Sequence, residues 1–327
     1  MREVFILGAG FSKAIHGSMP LLEELSTKIS SVEKLPPPLA TLGNDVELWL
    51  TYLSQPQPWL KEFHNLENRA LFLRIGQRIG ETLEASTSAA VCEDGPDWLH
   101  QLVTWWHKNR SAVITLNYDT LVERAALKAG IDPEEVYPVR LTDIRRASTF
   151  GADPESSFRL FKLHGSVNWY YSGAASFHGE VLYYGRVTPW GEPLNKEERQ
   201  SISAARDKVP LIVPPTTEKV SYFQHETLRQ VWLGASQALA AASSVYCVGY
   251  SLPTTDLGVR FFLHHSRPGE EGEKVPLFVV NRSNSPQELV GRYQHLLGNS
   301  YAIKDKYAST GAESLVDVLN ETSCYTV

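Results

Sequence analysis

Cysteine is scarce: Cys92, Cys247 and Cys324 are the only three in 327 residues, far apart and without a CxxC pair. So few thiols exclude a disulfide framework and a four-thiolate zinc site, and they fit a reducing cytoplasm. Long apolar runs are also missing. Nothing approaches the roughly 20 apolar residues of a bilayer span, so a soluble protein with no membrane role is expected. The run that opens the chain, Met1 to Leu7, is too short for a signal-peptide core and has no cleavage site, so it reads as a first strand and export is not expected. Basic charge is not in excess. The net charge of -6 argues against direct nucleic-acid binding, and the one basic stretch, Arg140, Arg145, Arg146, Arg159 and Lys162, reads as a solvated face. No repeat or low-complexity tract occurs, and the length fits one large domain with a smaller lobe.

What is present is an alternation of two patterns. Six short apolar, β-branched runs stand out: Glu3 to Leu7, Ala112 to Leu116, Phe161 to Leu163, Leu211 to Val213, Val245 to Val248, and Leu277 to Val280. Continuous apolar strands of this kind are those of a parallel sheet covered on both faces. Helical patterns lie between them at Thr120 to Lys128, Leu228 to Ala242 and Asp256 to His265; the first opens on a capping-box spacing, Thr120 to Glu123, and closes at Gly130. Strand and helix in alternation predict a doubly wound α/β fold. The stretch from 13 to 110 is too long for one crossover and is broken by Pro36, Pro37, Pro38, Pro56 and Pro58. It reads as an inserted helical lobe, with helices at Leu21 to Ile29, Val46 to Leu53, Asn68 to Leu83 and Trp98 to Lys108. A second insertion is expected over 178–208, where Tyr183, Tyr184 and Trp190 read as packing residues.

Ligands of open α/β sheets bind beyond the carboxyl ends of the strands, so the residues just after each strand matter most. They are Gly8-Ala9-Gly10-Phe11-Ser12, Asn117-Tyr118-Asp119, His164-Gly165-Ser166, Gly249-Tyr250-Ser251 and Asn281-Arg282-Ser283. The first offers a sharp backbone turn and a helix N-terminus to a pyrophosphate, with Ser12 adding a hydroxyl. It departs from the full dinucleotide fingerprint, because Lys13 stands where the third glycine belongs and no strand-borne acid follows; taken alone it is equally a tight strand-to-helix turn. Asn117 offers an amide donor and acceptor, and Asp119 accepts hydrogen bonds, although either type also caps the following helix. His164 stands at a strand end facing the same crevice, where a base near a bound nucleotide belongs, while Gly165 clears its approach. His264 and His265 read as capping or surface residues, and His16 has no evident partner.

In this order, with Thr115-Leu116-Asn117-Tyr118-Asp119, Lys162-Leu163-His164-Gly165-Ser166, Gly249-Tyr250-Ser251-Leu252-Pro253 and Val280-Asn281-Arg282, the motifs resemble the sirtuins. They are closer still to the bacterial SIR2-like NAD+ hydrolases of anti-phage defence. The resemblance implies a Rossmann-like sheet that binds NAD+ as substrate. It implies that Gly8, Ala9, Gly10 and Ser12 cradle the diphosphate, and it counts Phe11 and Thr115 among the NAD+-binding positions. Asn117 and Asp119 match the pair that orders the water or ribose and the carboxamide, and His164 matches the catalytic histidine. Gly249 and Ser251 match a phosphate- and ribose-side loop, and Asn281 a residue near the adenosine ribose. The two CxxC pairs of the zinc ribbon in protein-deacylating sirtuins are absent, so neither ribbon nor metal is expected and water is favoured over an acyl-lysine as acceptor. Three readings follow: an NAD+ glycohydrolase, a deacylase or ADP-ribosyltransferase with the same pocket, and a non-catalytic nucleotide-sensing module. A hydrolase would drain its own cell, and only about 45 residues follow Asn281, so a homo-oligomer or a separately encoded defence partner is expected to gate it.

Overall fold

The computed structural model describes residues 3–151, 156–173, 180–192, 203, 207–216, 225–268 and 274–323. Cys324 and much of the 178–208 stretch lie outside them. The described residues form strands β1 (Glu3–Leu7), β2 (Ala112–Thr115), β3 (Leu141–Asp143), β4 (Thr149–Phe150), β5 (Arg159–Lys162), β6 (Gly165–Tyr171), β7 (Tyr183–Tyr184), β8 (Val209–Ile212), β9 (Ser244–Val248), β10 (Val275–Val280) and β11 (Tyr301–Lys304). Six of these make one all-parallel sheet in the order β11-β10-β9-β1-β2-β5. The chain builds outward from β1 through β2 to β5, returns to the other side of β1, and builds outward again through β9 and β10. The order therefore reverses between β1 and β9, as in a Rossmann-like doubly wound sheet.

Register decides which side chains face which helices. Phe5 lies beside Tyr246, which lies beside Phe278, and their rings stack at 4.9 Å and 4.8 Å between centroids. Each such pair contributes about 0.5–1.5 kcal/mol beyond its burial. This ladder meets Trp106 of α6 (Asp97–Asn109) on one face. One residue along, Ile6, Ile114 and Phe161 are aligned on the opposite face. There Phe161 packs so closely on Gly234 of α8 (Glu226–Ala240) that a Cβ at Gly234 would lie 2.8 Å from its ring. Both faces are thus covered, and Val4 to Leu7 are at most 1% exposed, which is why β1 reads as an unbroken apolar run.

Two strands differ from expectation. The Leu211 to Val213 run leaves the parallel sheet: β8 pairs antiparallel with β6 in a second, five-stranded sheet, β4-β3-β7-β6-β8. The place in the parallel sheet goes to β11, an edge strand in which Tyr301 alone is fully buried, so it carries no continuous apolar run to read.

The helices are α1 (Ala9–Ile15), α2 (Leu22–Val32), α3 (Pro37–Ala40), α4 (Val46–Leu53), α5 (Glu62–Val91), α6, α7 (Leu121–Lys128), α8, α9 (Leu257–His265), α10 (Pro286–Leu297) and α11 (Leu315–Ser323). Asp45 starts α4 by accepting from the amides of Glu47 and Leu48. α5 runs 30 residues, far past the expected Asn68 to Leu83. Its first turns put Phe63 and Leu66 in solvent and its last are Ala, Ser and Thr, so neither end shows the periodicity of a core-facing helix. Leu25, Ile29, Trp49, Leu50, Ile75 and Ile79 from α2, α4 and α5 form a second core with Ile212 of β8, whereas α1 and α6 pack into the first. The capping box expected at Thr120 is not made. The amide of Leu121 donates to Asp119 Oδ1, the Thr120 side chain makes no cap bond, and Glu123 turns inward.

Candidate active site

The switch point is where two loops press together. Gly8 N–H donates to Val248 O at 3.0 Å, Gly10 N–H to Gly249 O at 2.9 Å, and Phe11 N–H to Gly8 O at 2.9 Å. A Cβ on Gly8 would lie 2.6 Å from Gly249 O, and one on Gly249, whose φ is +63°, would lie 2.1 Å from Phe11 N. Glycine is required at both positions because backbone meets backbone. Three of the four amides from Gly8 to Phe11 are therefore bonded inside the protein. The turn offers a ligand its shape and exposed Ala9 more than a nest of donors.

A hydrogen-bonded chain joins this turn to the end of β2. Thr115 Oγ1 accepts from the Asn117 amide at 3.1 Å. Asn117 Nδ2 donates to Gly8 O at 2.9 Å and to Ser12 Oγ at 2.8 Å, which commits both its hydrogens. The Ser12 hydroxyl donates to Asp119 Oδ2 at 2.6 Å, so its one proton faces Asp119. Beneath this turn, Lys162 Nζ donates to the Asp119 carbonyl at 2.5 Å and to Glu123 Oε1 at 2.7 Å, and Tyr137 donates to the same oxygen at 2.8 Å. Lys162 is 0% exposed; it leaves the solvated basic face in which the sequence put it. Burial raises the pKa of Asp119, opposed by the charge of Lys162, the Ser12 hydroxyl and the Leu121 amide.

His164 stands two residues past the end of β5, just before β6, and is 6% exposed. Its ring lies between Tyr118 and Trp232, at 6.1 Å and 6.3 Å between centroids. Its carbonyl accepts from Val213 N–H at 2.9 Å, and Trp232 is held by a bond from its indole N–H to Leu163 O at 2.9 Å. Gly165, at φ +80°, answers to β8 instead of the imidazole: a Cβ there would lie 2.0 Å from Leu211 O. His264 and His265 are exposed, and His16 bonds Ser18 and Glu93.

These elements enclose a cleft of about 570 Å³, lined by Gly8, Ala9, Gly10, Ser12, Asn117, Asp119, His164, Gly249, Ser251 and Asn281 among others. That volume lies in the roughly 300–1,000 Å³ range of small-molecule sites. Phe11 does not line it, being 1% exposed with its ring against Trp98 and Trp106. Thr115 acts behind it through Asn117. Sequence reasoning quoted Lys13, Tyr118 and Arg282 within its strand-end motifs without giving them a role, and it missed Glu47 and Asp256; all five are in the lining. Glu47 is 5% exposed and accepts from Thr255 Oγ1 at 2.7 Å; its helical spacing with buried Leu50 was the available signal. Asp256 accepts from the Tyr250 hydroxyl at 3.1 Å. Among the described residues no group of three or more His, Cys, Asp or Glu is placed to hold a metal ion, and no helix is long and apolar enough to cross a membrane.

Among solved structures the chain is similar to Sir2Tm bound to a propionylated peptide, at 15% identity and a TM-score of 0.47 over 100% of this chain and 94% of that one. It is also similar to a SIR2 protein in complex with an inhibitor, 2′-O-acetyl-ADP-ribose and a deacetylated peptide, at 17% identity and a TM-score of 0.42 over 98% and 94% of the two chains. No curated protein matches. The family described as the SIR2-like domain matches residues 111–301, more than half of the chain and the span that carries Asn117, Asp119, His164 and Gly249. The chain belongs to the SIR2-like domain family.

Proposed function

We propose that this chain is an NAD+ glycohydrolase, splitting NAD+ and water into nicotinamide, ADP-ribose and a proton. The observation that carries the reading is the convergence of Asn117, Asp119 and His164 with the Gly8 to Ser12 turn on one cleft at the switch point. Nicotinamide leaves as a neutral group, so bond cleavage needs little general acid and passes through an oxocarbenium-like state at the ribose carbon, as in other glycoside hydrolyses. The carboxylate of Asp119, held by Ser12 and Leu121, supplies negative charge near that state. Asn117, its Nδ2 committed to Gly8 and Ser12, orients a water or the carboxamide with its Oδ1. Neutral His164 takes the proton of the attacking water or of a ribose hydroxyl.

The reading extends to physiology. Unchecked NAD+ hydrolysis would deplete the cell that makes the enzyme, so the activity is gated by self-assembly or by a separately encoded partner, as fits an NAD-depleting effector of anti-phage defence by abortive infection. The cleft takes NAD+ as substrate, with no metal in the proposed chemistry.

Incubation of the purified chain with NAD+, with and without an acyl-lysine peptide, tests it by chromatography of the products, with light scattering recording assembly state. The expected result is free ADP-ribose from NAD+ alone, and a loss of about 10²-fold or more in His164→Ala. Acylated ADP-ribose formed only with peptide would establish a deacylase instead, and tight binding without turnover in every assembly state would establish a sensing module.

A further inference from the structure

We propose that a second copy of this chain docks on the exposed stripe of α5, the two helices lying antiparallel about a two-fold axis. The inference rests on the self-assembly reading above and gives it a surface.

α5 is apolar on two sides. Leu71, Phe72, Ile75, Ile79 and Leu83 face the core shared with α2 and α4. On the other side Trp59, in the turn before the helix, is followed by Phe63, Leu66, Ala70 and Leu73 at spacings of 4, 3, 4 and 3, the seam of a coiled coil. The four large side chains are 50% to 71% exposed, and Ala70 is exposed as well. Single exposed apolar residues need no explanation, but a continuous stripe, here on the order of 500 Å² per copy, marks an interaction site. Two such stripes bury about 1,000 Å², the area at which specific interfaces begin.

The charge at the rim of the stripe selects the occupant. A two-fold dimer needs a surface complementary to itself. Glu62 and Arg69 lie seven residues apart on one edge of the stripe, and Glu67 and Arg74 seven apart on the other, all four exposed. Each edge therefore runs from acid to base along the helix. An antiparallel copy presents each edge to the same edge reversed, so acid meets base; a parallel copy, or a partner of one sign of charge, meets like charge on both edges. Glu67 is taken by His64 and Arg74 by Glu33, whereas Glu62 and Arg69 have no ion-pair partner among the described residues, and Arg69 is held over the Phe72 ring, 5.4 Å from its centroid. Setting Glu62 level with the partner's Arg69 brings Phe63 against the partner's Leu66 and Trp59 over the partner's Ala70, a large side chain on a small one. Leu83 of α5 and Leu25 of α2 line the cleft, so a contact on α5 is made to a helix that also builds the cleft wall.

Sedimentation velocity of the full chain over about 1–100 μM, with ADP-ribose release from NAD+ measured beside it, tests the surface. The wild type is expected to dimerise in that range. Leu66→Glu, which puts a charge into the stripe without touching the core, weakens the dimer about 100-fold or more. Glu62→Arg and Arg69→Glu each set like charges together and weaken it about tenfold, whereas the two combined restore it to within about threefold. A wild type that stays monomeric at every concentration, or variants that assemble as the wild type does, overturn this inference, and ADP-ribose released by that chain leaves the hydrolase reading standing. A dimer that obeys the charge swap but releases no ADP-ribose overturns the hydrolase and upholds the interface. A monomeric chain that binds phosphatidylserine vesicles, and loses that binding in Leu66→Glu, overturns the inference in favour of a membrane surface.

Discussion

Asp119 is a helix cap and a cleft residue at once, since Oδ1 accepts the first amide of α7 while Oδ2 accepts the Ser12 hydroxyl. Its burial has a measurable consequence. A carboxyl whose folded pKa is raised contributes stability that is fully present below its unfolded pKa and is lost as pH rises through the folded value. In Asp119→Asn that pH-dependent loss is gone. The melting temperature of the variant relative to the wild type is therefore expected to rise over a series of pH values upward from the ordinary carboxylate range of about 4, while NAD+ cleavage falls about tenfold or more. A difference in melting temperature that stays flat across that series would remove Asp119 as a titrating group of raised pKa. Lys162 and Glu123 beneath it, each 1% exposed in its side chain, form the kind of buried pair that is costly to break and modest in net worth. What the pair supplies is position, because Lys162 also holds the Asp119 carbonyl.

Among elements, the contact that matters most is the β1–α1 turn against the loop after β9. Gly249→Ala forces a Cβ toward Phe11 N at a positive φ, so the turn must shift or the loop must unwind. Chemical denaturation is expected to show a loss of at least about 2 kcal/mol, and calorimetry a weakening of NAD+ binding of about tenfold or more. The matched control is Gly291→Ala in α10, where nothing lies within 4 Å of the added Cβ and the helix gains about 0.5–1 kcal/mol. Equal effects at the two glycines would dismiss the close approach as the reason for Gly249.

At the scale of the molecule, the cleft lies where the core of the parallel sheet and the core of α2, α4 and α5 come together. Thr255 and Glu47 are one of the direct bonds across it. Thr255→Val removes that bond and loosens the wall that α4 provides. The expected outcome in steady-state kinetics is a KM for NAD+ raised about three- to tenfold with kcat within about twofold; an unchanged KM would mean that this wall does not touch the substrate. The same scale separates what was legible in the sequence from what was not. Strands buried on both faces write themselves as apolar runs, so β1, β2, β9 and β10 were readable, and with them the loops that carry Gly8, Asn117, Gly249 and Asn281. His164 was readable for the same reason, standing just beyond the apolar run that ends β5. Local pattern could not say that the Leu211 run belongs to an antiparallel sheet, nor that an edge strand at Tyr301 completes the parallel one, because pairing is a choice among distant partners. Nor could it tell that Lys162 turns inward, that Gly165 serves β8, or that Glu47 reaches the cleft from a helix about 200 residues away from Thr255. Those depend on which surfaces meet, and that is decided only when the whole chain has packed.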